Sequence, residues 1–200
     1  MVDLAYGRGC QCEVQVTLWF LDACSLINLY ASGLLETISQ QHNQPFLAVQ
    51  TVIDEAGWVY GREGLERGER RPIQYPPLIQ GQQLSLVPPT PITLERFMNF
   101  AAYMDDGEAM TLAAALETPG SGIVTDDEAA MRHVAQAGIP VTNSLTLLRT
   151  ALEGTSANQS RDVLLSIRIC ARYVPGQQHP QYAWWQSVLE EAETRSAMTG

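Results

Sequence analysis

Acidic residues stand at the ends of short apolar runs in this chain and at the starts of helical patterns. Asp22 closes VQVTLWFLD, Glu55 lies in VIDEAGW, Glu108 in DDGEAMTLAAALE, and Asp126 and Asp127 in GIVTDDEAA. In an α/β sheet such positions are the carboxyl ends of strands and the starts of helices, where ligands bind. Carboxylates clustered there repel one another unless protons or cations neutralise them. The pattern therefore favours an acidic site at one edge of a sheet.

Strand patterns alternate with helical patterns along most of the chain. β-branched and aromatic residues predict a first strand over 13–21, and helical spacing predicts a helix over 51–63. Residues 61–91 are rich in Gly, Pro, Gln and charge, which predicts a loop with a short edge strand at QLSLV. The alternation as a whole predicts an α/β fold with a parallel sheet and helices on both faces.

A helical appendage is predicted after residue 155, which divides the chain into a core at 1–155 and an appendage at 156–200. One apolar stripe and one basic stripe run along its first helix; they are Val163, Ile167, Cys170, Val174 and Arg161, Arg168, Arg172. The basic stripe is interpreted as a solvated face, with nucleic-acid phosphates or an acidic segment of a partner protein as the alternative. The aromatics Tyr182, Trp184 and Trp185 favour packing over base stacking.

The charge and the apolar content limit the class of protein. A formal net charge of −10 argues against nucleic-acid binding by bulk electrostatics, although it does not exclude a nuclease with an acidic metal pocket. No apolar run approaches the roughly 20 residues of a membrane span, and the N-terminal residues lack a signal-peptide pattern. We therefore expect a cytoplasmic protein without a membrane partner. Cys10 and Cys12 lack a second ligand pair at zinc spacing, so free thiols are favoured.

Each acid also has a local explanation in helix capping. Asp22 is a favourable N-cap residue, and Asp105 with Glu108 resembles a capping box. Thr125 and Glu128 form a T-x-x-E capping box. Spacing alone therefore leaves helix capping and an acidic metal site about equally favoured.

The segments FLDACSLINLYASG, VIDEAG, DDGEAMTLAAALE and IVTDDEAAMRHVAQAGIPVTNSLTLL together resemble the PIN-domain family, over residues 15–152. That family includes VapC-type toxins of toxin–antitoxin pairs and other small metal-dependent ribonucleases. The resemblance implies a three-layer sandwich with a central parallel sheet and a pocket of acids that binds Mg²⁺ or Mn²⁺. It also implies an RNA substrate, and it makes an antitoxin protein and a homodimer possible partners.

The resemblance assigns site residues by motif position. It implies catalytic roles for Asp22, Glu55, Glu108 and Asp127, and metal binding by Asp22, Glu108, Asp126 and Asp127. Asp105 and Asp106 are alternatives to Glu108. Ser25 matches a small hydroxyl residue that follows the first acid and orients that acid or the metal-bound water, and it is counted among the substrate-binding residues. Asn143 either lines the pocket or caps the helix after it, and capping is favoured.

Two functions remain open from the sequence. The first is a metal-dependent endoribonuclease, in which arginines of the charged loop, with Arg62 and Arg70 foremost, contact phosphates of the substrate. The second is a non-catalytic interaction module that keeps the fold. A phosphatase that uses Asp22 as its nucleophile is disfavoured, because Asp22, Ala23 and Cys24 do not form the D-x-D sequence it needs.

Overall fold

The structure, a computed structural model, describes residues 18–198, with side chains through residue 190. Its strands are β1 (Leu18–Leu21), β2 (Phe46–Ala48), β3 (Trp58–Glu63), β4 (Glu66–Pro72), β5 (Leu84–Leu86), β6 (Ser121–Val124) and β7 (Val141–Thr142). A five-stranded sheet has the order β5-β2-β1-β6-β7, and every pairing in it is parallel. Strands β3 and β4 form a separate antiparallel hairpin.

Helices flank this sheet, which confirms the predicted α/β sandwich with a central parallel sheet. They are α1 (Ala23–Ser32), α2 (Leu35–His42), α3 (Gln50–Glu55), α4 (Tyr75–Gln80), α5 (Pro91–Phe100), α6 (Asp106–Glu117), α7 (Glu128–Gln136), α8 (Ser144–Ala151), α9 (Ala157–Ser166) and α10 (Tyr182–Met198). A π-helical turn, Ile167–Ala171, continues α9. None of the helices in the described range is long and apolar enough to cross a membrane.

The order of the strands determines where a ligand site can form. The chain adds β2 and β5 on one side of β1 and β6 and β7 on the other, so the order reverses between β1 and β6. Leu21 at the end of β1 is in register with Val124 at the end of β6. The residues that follow these two strands therefore lie side by side at the reversal, where open α/β sheets bind their ligands.

Strand β1 lies in the middle of the sheet because its side chains are apolar on both faces. Phe20 and Leu21 are fully buried in the main hydrophobic core. On the neighbouring strand β6, a Cβ on Gly122 would lie 2.5 Å from Cζ3 of Trp19 and 2.9 Å from the carbonyl oxygen of Pro140. A glycine at this position therefore lets the ring of Trp19 lie directly against β6.

The segment after α3 corrects two of the predictions. The helix predicted over 51–63 ends at Glu55, and Trp58–Glu63 is a strand instead. The loop predicted over 61–91 contains the rest of a hairpin, helix α4 and strand β5, so only the edge strand at QLSLV is confirmed. The hairpin forms because its arginines stack on aromatic rings across the strands. Cζ of Arg67 lies 4.7 Å from the Tyr60 ring centroid, and Cζ of Arg70 lies 5.0 Å from that of Trp58.

The apolar stripe predicted for the appendage is wrong beyond its first half. The π-helical turn shifts the spacing of side chains after Ser166, so Ile167 and Ile169 are buried while Val174 is 54% exposed. Trp185 on α10 is fully buried in the main core, where it meets Tyr173 edge to face. Packing of the tail aromatics is thus confirmed for Trp185. The division of the chain at residue 155 stays a prediction.

The prediction of free thiols falls partly outside the described residues. Cys10, Cys12 and the segment 13–17 of the predicted first strand lie before Leu18. Cys24 and Cys170 are free thiols.

Candidate active site

Asp22 occupies the junction of β1 and α1 at the centre of the sheet. Its backbone N–H donates to the carbonyl of Val124 at 3.1 Å, which fixes the end of β1 against β6. Its carboxylate oxygen Oδ1 accepts the N–H of Ser25 at 2.6 Å, and the Thr125 side chain also hydrogen-bonds to it. Asp22 is therefore the N-cap of α1, as local sequence predicts, and at the same time a buried carboxylate at the sheet edge.

Asp126 follows β6 and is held by four donors. Its Oδ2 accepts Oγ of Ser25 at 3.2 Å, Nδ2 of Asn28 at 2.9 Å and Oγ of Ser144 at 2.5 Å, while Oδ1 accepts N of Ser144 at 3.0 Å. A carboxylate offers about four acceptor sites, so this set engages nearly all of them. Asp126 thus ties α1 and α8 to the end of β6, and this binding favours a positioning role over direct metal binding.

Asp127 is the N-cap of α7 and has a more open carboxylate. Its Oδ1 accepts the backbone N–H groups of Ala129 at 2.7 Å and Ala130 at 2.8 Å. No hydrogen bond reaches Oδ2 from the described residues, and Asp127 is exposed. Asp127 can therefore cap its helix through one oxygen and offer the other to a ligand.

Glu108 lies in the first turn of α6 and connects the inner and outer parts of the site. It lines a small cavity of about 10 Å³ together with Asp22, Thr111 and Thr125. It also lines an open groove of about 360 Å³ with Asp105 and Asp127. The other walls of the inner cavity are the apolar residues Met104, Ile123, Ala130 and Val134, and the cavity has room for about one water-sized occupant. Asp22 and Glu108 therefore meet at a small and mostly apolar space, which explains why burial raises the pKa of both carboxyls.

Glu55 reaches the same region from the end of α3. Its carboxylate accepts the backbone N–H of Gly107. A Cβ on Gly107 would lie 2.5 Å from Oε2, 2.7 Å from Oε1 and 2.9 Å from Cδ of Glu55. Only a glycine in the DDGE segment leaves this space to the glutamate carboxylate, so Gly107 positions Glu55 against the start of α6.

The electrostatics of the site are those of carboxylates without a counter-charge. Burial raises the pKa of Asp22 to about 6, and the negative charge of Asp126 adds to this. Burial also raises the pKa of Glu108 to about 7, with Asp127, Asp105, Asp22 and Glu55 all acting in the same direction. Every charged group that acts on these two carboxyls is another carboxylate. The site is thus arranged to attract a proton or a cation at neutral pH.

The donor set decides which cation the site would fit. The thiol of Cys24 lies nearby, but burial and the surrounding carboxylates raise its pKa to about 11, so it remains protonated and is a poor ligand. The remaining donors are carboxylate and hydroxyl oxygens, which suit Mg²⁺ or Mn²⁺. Within the described residues, no three His, Cys, Asp or Glu side chains are close enough to hold an ion as they stand. The donor atoms fit a hard divalent ion in their chemistry.

The alternatives to Glu108 lie further out. Asp105 and Asp106 are both exposed at the start of α6, and Asp105 does not cap the helix through its side chain. Glu108, in contrast, lines the cavity that contains Asp22. The structure therefore supports Glu108 over Asp105 and Asp106 as the third acid.

The four residues predicted to bind substrate are engaged within the protein. Ser25 is fully buried and bonds to both Asp22 and Asp126, so it orients acids. Asn143 is the buried N-cap of α8, as the capping alternative predicts, and its Oδ1 accepts N of Thr146 at 2.8 Å. Arg62 lies in a salt bridge with Asp162 at 3.1 Å, and Arg70 stacks on Trp58.

Sequence reasoning missed Asn28, Ser144 and Gly107. Asn28 lies three residues after Ser25 on α1, so helical spacing places both on the face that meets Asp126. Gly107 had a signal in the sequence, because glycine is a poor residue for the first turn of a helix unless a close contact requires it. Ser144 had none, because its partner Asp126 lies eighteen residues earlier.

Comparison with known proteins places this site in a family. The model of the PIN-domain family DUF3368 matches residues 18–181, most of the chain. Neither the curated proteins nor the solved structures gave a match. PIN domains are generally nucleases and typically use divalent metal ions. The match covers the strands, the acids and the helices that position them, and the chain belongs to the PIN-domain family.

Proposed function

We propose that this protein is a metal-dependent endoribonuclease that hydrolyses phosphodiester bonds of RNA. The observation that carries the proposal is that Asp22 and Glu108 line the same small cavity at the edge of the sheet. Burial and neighbouring carboxylates there raise the pKa of Asp22 to about 6 and that of Glu108 to about 7. Such a pair is costly to keep ionised in a folded protein unless function requires it.

Asp22, Glu108 and the open oxygen of Asp127 would hold Mg²⁺ or Mn²⁺. An ion there would lower the pKa of a bound water and offset negative charge on the phosphate. Asp22 is fixed by the N–H of Ser25. Asp126 would act mainly by position, because its four hydrogen bonds hold α1 and α8 at the sheet edge. Glu55, held by Gly107, would accept a proton from the attacking water at the outer side of the site.

The groove beside these acids is open enough for a nucleic-acid strand. It has a volume of about 360 Å³, and Glu108 lines both this groove and the inner cavity next to Asp22. A phosphate that enters the groove would therefore meet the acids that hold the ion. The predicted antitoxin partner and homodimer remain predictions.

Cleavage of a mixed structured RNA with Mg²⁺ or Mn²⁺ tests the proposal. We expect products with a 5′-phosphate and a 3′-hydroxyl, and no cleavage in EDTA or by Asp22→Asn. Asp162→Asn is the matched control, because it makes the same chemical change on α9, outside the site. Cleavage that persists in EDTA, or in Asp22→Asn, would contradict the mechanism. A folded protein that neither cleaves RNA nor binds Mn²⁺ in calorimetry would favour the interaction module.

A further inference from the structure

An arginine groove lies between the β3–β4 hairpin and the π-helical turn. It has a volume of about 370 Å³ and is lined by Arg67, Arg168, Arg172, Leu65 and Ile169. All twelve basic residues of the chain are arginines. A guanidinium donates two parallel N–H groups that match the oxygens of a phosphate. The groove thus collects three phosphate-binding side chains on a protein of net charge −10.

The arginines of this groove are not neutralised by neighbouring acids. In the described part of the chain, the structure shows one ion pair, between Arg62 and Asp162. Arg62 also donates to the carbonyls of Gly64 and Asp162 and to Oγ of Ser166, so its donors are engaged. Arg168 and Arg172 have no comparable partner among the described residues, and Cζ of Arg67 lies over the ring of Tyr60.

The backbone of Arg172 is held in an unfavourable conformation. It lies at φ 60° and ψ 28°, in the left-handed region that a bulky residue rarely adopts. It ends the π-helical turn, and such turns are frequent at functional sites. A glycine would fit this backbone better, so the arginine side chain is retained at a conformational cost.

That conformation places Arg172 between the arginine groove and the acids. Arg172 also lines a second cavity of about 180 Å³, with Cys24, Asn28 and Tyr173 among its walls. Cys24 follows Asp22 by two residues, and Nδ2 of Asn28 donates to Asp126 at 2.9 Å. Arg172 is a wall of both cavities, which defines a path from the arginine groove past Arg172 to Asn28, the residue that donates to Asp126.

We propose that Arg67, Arg168 and Arg172 bind successive backbone phosphates of a single-stranded RNA and lead the strand to the acidic site. This inference rests on the proposed function. An acidic peptide fits the path less well, because beyond Arg172 it would meet Asp22 and Asp126, which repel its carboxylates. An RNA strand needs arginines at the phosphates that flank the cleaved bond and a divalent ion at the phosphate that is cut. The path offers these groups in that order, with the arginines first and the acids for the ion beyond them.

Salt-dependent binding of a fluorescent single-stranded RNA, followed by anisotropy in EDTA to prevent cleavage, tests the inference. Each phosphate contact contributes about 0.7 to the slope of log affinity against log salt for a single strand. We expect Arg168→Gln and Arg172→Gln each to weaken binding and to lower that slope by about 0.7. Arg149→Gln is the matched control, since Arg149 donates to Gln181 near the far end of α8 and should leave the slope unchanged.

Arg172→Gly separates a binding role from a structural one. Because glycine relieves the left-handed backbone, the melting temperature should stay the same or rise, while RNA affinity falls as it does in Arg172→Gln. Full RNA affinity in Arg172→Gly, or equal slopes in all variants, would overturn the inference. So would a labelled oligoglutamate peptide that binds in this groove while RNA does not. Arginine-dependent binding without any cleavage would instead leave the inference standing and refute the nuclease proposal.

Discussion

Replacing Asp22 by Asn should make the metal-free protein more stable at neutral pH. Asp22 is 4% exposed, and burial raises the pKa of its carboxyl from 3.8 to about 6. Since one pKa unit corresponds to about 1.4 kcal/mol, the ionised carboxylate lowers the free energy of unfolding by about 3 kcal/mol. Asn has nearly the same shape, and its oxygen can accept the same N–H of Ser25 without the charge.

The gain in stability depends on pH with a definite sign. The folded pKa of Asp22 lies above the unfolded value, so the stabilisation that its neutral form provides is complete below the unfolded pKa of 3.8. It is lost as the pH rises through about 6. The Asn side chain does not titrate. The difference in unfolding free energy between Asp22→Asn and wild type should therefore be near zero at about pH 3.5 and about 3 kcal/mol at about pH 8.

Urea denaturation in EDTA across this pH range measures the difference. Asp126→Asn is the matched contrast, because four donors already point at that carboxylate and a carboxamide N–H would face one of them. We expect Asp126→Asn to lower the free energy of unfolding by about 1–3 kcal/mol. If Asp22→Asn is less stable than wild type at about pH 8, or if the difference does not change with pH, the reasoning about a buried charged carboxyl is refuted.

Three further predictions concern the support of the site. Gly107→Ala should displace the Glu55 carboxylate and lower the rate of RNA cleavage as much as Glu55→Ala does. Its free energy of unfolding, measured by urea denaturation, should change by no more than about 1 kcal/mol. An unchanged cleavage rate would contradict this prediction. Arg62→Met should lower the free energy of unfolding by about 1–2 kcal/mol, because its hydrogen bonds are lost. Asp162→Asn should lower it by less than about 1 kcal/mol, because Asp162 is 68% exposed. Equal losses in the two variants would refute this distinction. Trp185→Ala should lower the free energy of unfolding by about 3–5 kcal/mol, because the ring is fully buried. A decrease below about 1 kcal/mol in the same assay would show that α10 does not stabilise the core.

The parallel sheet and the acids at its edge could be predicted because both produce local signals. The central strands are short apolar runs; Asp22 follows β1 directly, and Asp126 follows β6 after Thr125. Parallel pairing then brings the carboxyl ends of those runs together without further information. The positions of these acids can therefore be predicted from the local sequence alone.

The hairpin could not be predicted in the same way. Strand β4 reads ERGERRP, without the alternation of apolar and polar residues that marks a strand. Its pairing depends on Arg67 over Tyr60 and Arg70 over Trp58, and on packing against the π-helical turn far along the chain. Such contacts between distant residues override local propensity.

The different roles of Asp126 and Asp127 could not be predicted from the sequence either. Both residues stand in the same TDD segment, and either matches the family acid. Only the structure shows that Asp126 accepts from residues of α1 and α8, with partners up to 101 positions away, while Asp127 accepts only from its own helix. The number of donors around each carboxylate, rather than its position, distinguishes a positioning acid from one with an oxygen available to bind an ion.

The separation of charge in this fold implies that ion binding and RNA binding reinforce each other. The carboxylates come from the ends of β1 and β6 and the starts of α6 and α7, whereas the arginines of the groove come from the hairpin and the π-helical turn. In this proposal, an RNA strand bound by Arg172 would lie next to acids that repel its phosphates until a cation neutralises those acids. By linkage, whatever factor the ion adds to RNA affinity, RNA must add to ion affinity. On the proposed function, RNA affinity should rise with a divalent ion even where added salt lowers it.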